Sequence, residues 1–129
     1  MRATGTRGEL LVAEILIGKG FHVSLPLDET QFDLVATSGS KSFRLQVKCT
    51  SKPINDWRRT VRYNFNITRG NSTKKAYTFD DCDFLICIAL DTHRFWVIPI
   101  GDVGASSLKI AACAESKYSK YEGRWDLLN

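Results

Sequence analysis

Two short stretches of sequence decide the fold, FDLV at residues 32–35 and SFRLQVKC at residues 42–49. Apolar and polar residues alternate in the second stretch, which is the pattern of a half-buried β-strand, so Gln46 and Lys48 should share one face. Turn residues stand on both sides of the first stretch, which predicts a second strand paired with the first as a hairpin. This pairing would bring Asp33 beside Gln46.

An acid, an amide and an amine gathered in this way suit the hydrolysis of a phosphodiester. The reaction requires a cation that neutralises the phosphoryl oxygens and a water that is activated and oriented, and hard oxygen ligands suit magnesium. Asp33 would supply charge and Gln46 a neutral oxygen, while Lys48 is the candidate for activating the water. The alternative is a polar strand that simply faces solvent, since an Asp followed by Q-x-K also occurs in unrelated proteins.

A helix is predicted before these strands, at about residues 6–20. Its apolar repeat consists of Leu10, Ala13, Leu16 and Ile17. Gly18 and Gly20 should end it, and Thr6 is the predicted N-cap. Glu9 then has two open roles. It either reaches back to the backbone amide of Thr6 in a capping box, or points into the cleft and binds a cation or a metal-bound water.

A helix with Glu9, a strand with Asp33 and a strand with Gln46-Val47-Lys48 follow one another in the order of the PD-(D/E)XK nuclease superfamily, which the chain resembles. It carries a glutamine where most members have an acid, and is similar in this to the branch that includes group I intron-encoded homing endonucleases. The resemblance is strongest over residues 8–51 and looser through residues 80–84 and 95–100. It implies an α/β, restriction-endonuclease-like core, with a mixed central β-sheet flanked by α-helices, in a single domain of residues 1–129.

The resemblance also implies an activity, that of a magnesium-dependent endonuclease of homing type that cuts double-stranded DNA, with Mn²⁺ able to substitute. The implied catalytic residues are Glu9, Asp33, Gln46 and Lys48, and the implied metal ligands are Asp33, Gln46, Glu9 and the backbone carbonyl of Val47. A small domain spans only part of a long target, so a homo-oligomer, either a dimer or a tetramer, is expected.

Other functions remain open at this point. One is a structure-selective nuclease of the Holliday-junction-resolvase kind, whose family normally carries glutamate at the position of Gln46. Another is a restriction-type enzyme. A third, from a different class, is a non-catalytic DNA-binding module on the same fold, in which Gln46 marks a decayed site.

Basic residues are concentrated in one part of the chain. Residues 41–75 contain ten Lys or Arg and one acidic residue, Asp56, whereas the whole chain has a net charge of only +4. Such a stretch, with aromatic residues and asparagines between the charges, is typical of a surface that follows phosphates. The candidate DNA contacts are Arg44, Lys52, Arg58, Arg59, Arg62, Lys74 and Lys75. The alternative is a solvated face around a strand at residues 61–67, whose alternating apolar residues pack inward.

Composition argues against several other classes. No apolar stretch reaches about eighteen residues and the start lacks the form of a secretory signal, so we expect a cytoplasmic protein without a membrane segment. The four cysteines show no C-x-x-C pairing and the two histidines are far apart, so zinc spacing is absent and the cysteines are expected to be reduced and packed. No Walker loop, G-x-S-x-G or G-x-G-x-x-G is present.

The remaining segments are predicted to be scaffold. Residues 84–90 form an apolar run typical of a strand covered on both faces, and residues 95–100 follow after a short polar turn. Asp80, Asp81 and Asp83 precede this strand, where carboxylates more often cap or face solvent than hold a metal. The aromatic tail at residues 116–129 is expected to dock onto the core, or else to form half of a homo-oligomer interface.

Overall fold

A computed structural model describes residues 3–54, 62–66, 68–69, 75–103, 107–111 and 117–129. The helix α1 (Ala3–Gly18) comes first. It is followed by β1 (His22–Ser24), β2 (Leu34–Ser38), β3 (Lys41–Thr50), β4 (Arg62–Asn66), β5 (Thr68–Arg69), β6 (Lys75–Ala76), β7 (Phe84–Ala89), β8 (Arg94–Pro99) and β9 (Ser107–Ala111). Short 3-10 turns occur at Ile100–Asp102, Ser119–Tyr121 and Trp125–Leu127. None of the described helices is long and apolar enough to cross a membrane.

Five strands form one mixed sheet in the order β1-β2-β3-β7-β8. The central strand β3 runs antiparallel to β2 and parallel to β7, and β7 pairs antiparallel with β8. The predicted hairpin is confirmed, because Leu34 lies opposite Leu45 and Ser38 opposite Lys41 across a turn in which Gly39 has φ 62°. The apolar run predicted as a strand covered on both faces is β7, whose last five residues are all buried.

Each face of this sheet carries its own apolar cluster. On one face Leu45 and Val47 of β3 pack with Val12 and Leu16 of helix α1. The other face is covered, in the described part of the chain, by the antiparallel pair β4–β9. This second cluster includes Tyr63, Phe65, Tyr77, Leu85, Cys87, Trp96 and Ile110. The mixed sheet of the predicted α/β core is therefore confirmed, with α1 on one side and a two-stranded ribbon on the other.

Gln46 and Lys48 point to the face covered by the ribbon. In the register of β3 with β7, Gln46 lies opposite Leu85 and Lys48 opposite Cys87. Directly paired residues carry their side chains on the same face of a sheet. The prediction that Gln46 and Lys48 share one face is confirmed, and this face is the one away from α1.

The start of α1 differs from the prediction. The helix begins at Ala3, so Thr6 lies within it, and both the predicted N-cap at Thr6 and the capping box between Glu9 and Thr6 are wrong. The reason is tertiary packing, since the first turns of α1 lie against β3 at Gly8, where an added Cβ would stand 2.8 Å from Cys49 Sγ. Packing of this kind extends a helix beyond a local capping signal.

The buried side of α1 is also rotated from the predicted repeat. Val12 and Leu16 are fully buried, whereas Leu10 and Ile17 are 65% and 60% exposed. The close contact at Gly8 turns the side with Val12 and Leu16 toward β3. The periodicity of the sequence alone does not reveal that contact. The predicted end is confirmed: Gly20 has φ 96°, and the N–H of Phe21 donates to Leu16 O at 3.0 Å, as in a Schellman motif.

The chain end docks onto the core, as expected. Trp125 is buried and its ring lies 5.7 Å from that of Phe95. Arg94 donates to both carboxylate oxygens of Glu122 at 2.8 Å, and the N–H of Gly123 donates to Phe95 O at 2.8 Å. The aromatic side chains of the tail thus belong to the core of this subunit.

Candidate active site

Asp33 stands immediately before β2, at the point where this strand starts to pair with β3. Its backbone N–H donates to Leu45 O at 2.8 Å, and its carboxylate Oδ2 accepts the N–H of Val47, also at 2.8 Å. Because β2 begins only at Leu34, the carboxylate takes the place that the next backbone carbonyl of β2 would occupy. The sequence thus positions Asp33 beside Gln46 through the pairing of the two strands.

The backbone of Val47 faces the same edge of β3. In an extended strand the N–H and C=O of one residue project to the same side. Since the N–H of Val47 is bound by Asp33, its carbonyl also lies on the Asp33 side of β3. The predicted carboxylate ligand and the predicted carbonyl ligand are therefore adjacent.

Gln46 is buried, with 8% of its surface exposed. Its Nε2 lies 3.4 Å from Val47 O, a long hydrogen bond that turns the amide nitrogen toward the carbonyl. Lys48 is half-buried, and its Nζ lies 5.3 Å from the centre of the Tyr77 ring. Gln46 and Lys48 are two residues apart on the same face of β3, and Asp33 lies beside this strand at Val47.

Glu9 approaches this region from the other face of the sheet. Helix α1 packs on the side of Val47 and Cys49, while Gln46 and Lys48 are on the opposite side. Burial raises the pKa of the Cys49 thiol, and the nearby carboxylates of Glu9 and Asp33 raise it further. Both carboxylates therefore lie near the same segment of β3, Glu9 on the side of helix α1.

The donor set fits a hard cation. Within the described ranges no three His, Cys, Asp or Glu side chains come together. A metal site formed by these described residues would add the neutral oxygens of the Gln46 side chain and the Val47 carbonyl to the carboxylate that the Val47 N–H holds in place. The Gln46 amide, whose nitrogen faces Val47 O, would have to rotate to present its oxygen to a cation. Oxygen donors of this kind suit a hard divalent cation.

Arg44, one of the predicted DNA contacts, has its guanidinium engaged within the protein. It pairs with both carboxylate oxygens of Asp83, at 3.3 and 3.2 Å, and donates to the carbonyls of Phe79 and Asp80. The pKa of Arg44 is raised, first by its hydrogen bond to Asp83. This network ties the segment before β7 to β3, so it gives Arg44 a structural role.

The carboxylates before β7 act as caps and ion-pair partners, as favoured by the sequence. Asp83 pairs with Arg44, and Asp81 accepts the backbone N–H of Thr78 at 2.9 Å. Neither residue needs a metal to explain its position.

The structure describes only part of the predicted DNA surface. Lys52 is exposed just after β3, and Arg62 begins β4, where its backbone pairs with Ile54. The buried Nε of Arg62 has no hydrogen-bond acceptor among the described residues. Arg58, Arg59 and Lys74 lie outside the described residues, and of Lys75 only the backbone, in β6, is described. Tyr63 and Phe65 pack inward, as predicted, while Val61 and Ile67 fall outside the described ranges.

The sequence did not single out one residue beside Lys48 and one residue on the ribbon. Tyr77 lies under the Lys48 ammonium but follows a two-residue strand, too short to show a periodic pattern. Lys109 is exposed on β9 directly opposite the exposed Asn64 of β4. It lies far along the chain from the basic stretch, and only the pairing of β4 with β9 brings it there.

The described cysteines behave as small apolar residues. Cys49, Cys82 and Cys87 are free thiols, and the last two are fully buried. Burial raises the pKa of Cys82 to about 12 and that of Cys87 further still. These thiols stay protonated at neutral pH, as expected for packed cysteines.

The sequence and the fold are both similar to those of known endonucleases. The family described as PD-(D/E)XK endonuclease matches residues 1–125. Among solved structures, that of a bacterial homing endonuclease, I-Ssp6803I, is similar with a TM-score of 0.80 and 20% sequence identity, over 98% of this chain and 91% of the other. No curated protein matches the sequence. At this identity the structural similarity shows a shared fold.

Proposed function

Because the chain belongs to the PD-(D/E)XK endonuclease family, we propose that it hydrolyses phosphodiester bonds in double-stranded DNA with a divalent metal ion, as a homing-type endonuclease in a single domain. The observation that carries this proposal is the hydrogen bond from the Val47 N–H to the Asp33 carboxylate, which joins the acid to the strand bearing Gln46 and Lys48. The Q-x-K motif and the fold shared with I-Ssp6803I support the homing type.

In this proposal Asp33, Gln46, the Val47 carbonyl and Glu9 hold the metal. Magnesium, or manganese in its place, supplies charge that neutralises the phosphoryl oxygens and acidifies water when it is bound. Asp33 and Glu9 supply the negative charge, and Gln46 supplies an oxygen without adding repulsion toward the DNA backbone. Lys48, two residues after Gln46 on β3, contacts the attacking water or the scissile phosphate.

DNA is held in this proposal by the basic stretch. The proposed phosphate contacts are Lys52, Arg58, Arg59, Arg62, Lys74 and Lys75, to which the structure adds Lys109. Support comes from the exposure of Lys52 and Lys109. Arg44 is not among the proposed phosphate contacts, because its guanidinium N–H groups already donate to Asp83 and to the carbonyl of Phe79.

The active form is proposed to be a homo-oligomer, a dimer or a tetramer, that acts on DNA in the cytoplasm. Four large apolar side chains are exposed on and after helix α1: Leu10, Ile17, Leu25 and Leu27. Leu10, Ile17 and Leu25 line a mostly apolar groove whose other lining residues are Thr6, Glu9, Ala13, Val23 and Leu34. An exposed apolar patch of this kind supports a contact between subunits.

The test uses the wild type, Asp33→Asn and the control Asp28→Asn, which changes an exposed loop carboxylate. Each is incubated with magnesium and either a supercoiled plasmid library carrying randomised long inserts, linear DNA or a four-way junction, and binding is followed separately in calcium. We expect the wild type and the control to cut double-stranded DNA and Asp33→Asn to bind without cutting.

The preferred substrate separates the alternatives. Cutting at one long linear site supports the homing type, and a short site points to a restriction-type enzyme. Cutting of junctions regardless of sequence identifies a resolvase-like enzyme instead. Tight binding to DNA without cutting of any substrate, once a missed target is excluded, would point to a non-catalytic module.

A further inference from the structure

The side chain of Lys48 ends above an aromatic ring. Its Nζ lies 5.3 Å from the centroid of Tyr77, within the distance at which a cation is attracted to the face of a ring. We infer that Tyr77 is a positioning residue, whose ring holds the ammonium group of Lys48 where the hydrolysis needs it. This inference rests on the proposed function, in which Lys48 contacts the attacking water or the scissile phosphate.

Contacts hold both the ring of Tyr77 and the backbone next to it. Its ring is 6% exposed and belongs to the cluster beneath the ribbon β4–β9. The next residue, Thr78, donates its backbone N–H to Asp81 at 2.9 Å and accepts the N–H of Asp81 at 2.9 Å. A ring fixed by its neighbours is a suitable platform, because it does not have to be ordered when the lysine binds it.

The residues that β7 places opposite Lys48 and Gln46 are uncharged. In the register of β3 with β7 the lysine stands opposite Cys87, which is fully buried and carries a protonated thiol. On the same face Gln46 stands opposite Leu85. A lysine stem has four flexible carbons, and the contact with the ring favours one direction for the ammonium.

This role differs from that of an ordinary core residue. A core residue contributes through volume and buried apolar area, and its loss lowers stability without acting on one step of the reaction. A cation–π contact depends on the ring face, which phenylalanine retains and leucine lacks. Tyr77→Phe should therefore preserve the function of the residue, and Tyr77→Leu should remove it at similar bulk.

The experiment compares Tyr77→Phe, Tyr77→Leu and the matched control Phe65→Leu, a buried ring in the same cluster. We measure kcat and KM for magnesium-dependent cutting of the DNA that the wild type cuts, the binding constant in calcium, and the melting temperature. We expect Tyr77→Leu to lower kcat about tenfold with KM and binding unchanged, and Tyr77→Phe to stay within about threefold of the wild type. Phe65→Leu should lower the melting temperature and leave kcat near the wild-type value.

A second readout needs no activity. The ring current of Tyr77 should shift the NMR signals of the Lys48 side-chain methylene protons upfield in the wild type and in Tyr77→Phe, and the shift should vanish in Tyr77→Leu. The inference is overturned if this shift is absent from the wild type. It is also overturned if Tyr77→Phe loses as much kcat as Tyr77→Leu, or if Phe65→Leu loses as much.

The two proposals fail in different ways. If the wild type cuts but Tyr77→Leu has the same kcat, the inference fails and the proposed function stands. If the wild type cuts no DNA, the proposed function fails and the positioning role fails with it, while the proton shifts still report whether the contact exists.

Discussion

The carboxylate of Asp33 accepts the backbone N–H of Val47 at 2.8 Å, so one side chain both closes the pairing of β2 with β3 and stands in the candidate metal site. The backbone of the strand that carries Gln46 and Lys48 thus anchors this carboxylate. Under the proposed function, a change at Asp33 should have two separable consequences, one for the strand end and one for cation binding.

Replacing Asp33 by Asn and by Ala separates these consequences. Asparagine keeps an oxygen that can accept the Val47 N–H but loses the charge, whereas alanine leaves that N–H without its partner. We expect both variants to lose magnesium-dependent cutting. Only Asp33→Ala should also lose stability, by about 1–3 kcal/mol as expected for an unsatisfied partly buried donor. Urea unfolding measures the difference, and equal stability of the two variants would show that the hydrogen bond contributes little.

Lys48 and Lys52 are predicted to act on different steps although they lie four residues apart. Lys48→Ala should abolish cutting while DNA binding in calcium is largely kept, because this lysine contacts the water or the scissile phosphate. Lys52→Ala, at an exposed phosphate contact, should weaken binding at all sequences and reduce the salt slope of binding by about one ion, with kcat retained. Titration of binding against salt, beside single-turnover cutting, checks both. Loss of kcat in both variants alike would contradict the assignment.

Local patterns were enough to predict the strands of the site. Alternation over residues 42–49 placed Gln46 and Lys48 on one face, and turn residues on both sides of Asp33 placed it in the neighbouring strand. A hairpin is determined by residues close in sequence, and its register follows from the short turn at Gly39. For this reason the order of Asp33, Gln46 and Lys48 in space follows from the sequence.

Features fixed by distant packing were not predictable in this way. The rotation and early start of α1 depend on the contact between Gly8 and Cys49, which are forty-one residues apart in the sequence. The ring of Tyr77 under Lys48 and the position of Lys109 beside Asn64 likewise depend on pairings between remote segments. Periodicity reports which side of an element is apolar and carries no information on which residue it meets.

Gln46→Glu should convert the site to the acidic form of the motif and make folding more dependent on metal. Gln46 is buried close to Asp33, so a carboxylate there adds a like charge in a poorly solvated place. We expect a lower melting temperature than that of the wild type without metal, and a larger rise on adding magnesium. Gln46→Ala should instead weaken magnesium binding without this gain. Thermal melts across a magnesium titration check the prediction, and an unchanged metal-free melting temperature for Gln46→Glu would contradict it.

Gly8→Ala tests the contact that sets the position of α1. The added Cβ would stand 2.8 Å from Cys49 Sγ and 3.0 Å from Cys49 Cβ, so the Cys49 side chain, the helix or the strand must shift. Overpacking of this kind costs about 1–3 kcal/mol, which outweighs the gain of about 1 kcal/mol from alanine over glycine in a helix. We expect Gly8→Ala to destabilise the wild type and to be much better tolerated when combined with Cys49→Ala, which removes the sulfur. A double-mutant cycle from urea unfolding measures this coupling, and additive effects would show that the contact does not limit the approach of the helix.

The pair between Arg94 and Glu122 should make docking of the tail sensitive to acid. The hydrogen bond from Arg94 holds the pKa of Glu122 below its ordinary value. A lowered pKa in the folded state means that the pair stabilises the protein fully above the ordinary pKa of 4.5, and that this stabilisation is lost as the pH falls through the lowered value. Because the Glu122 side chain is 38% exposed, the contribution should be at most about 1 kcal/mol. Glu122→Gln should therefore unfold more easily than the wild type at pH 7, and the difference should shrink as the pH is lowered below 4.5. A series of urea unfolding experiments from pH 7 downward measures it, with Glu29→Gln in an exposed loop as the control. A difference that does not shrink with falling pH would mean that glutamine disturbs the tail by another route.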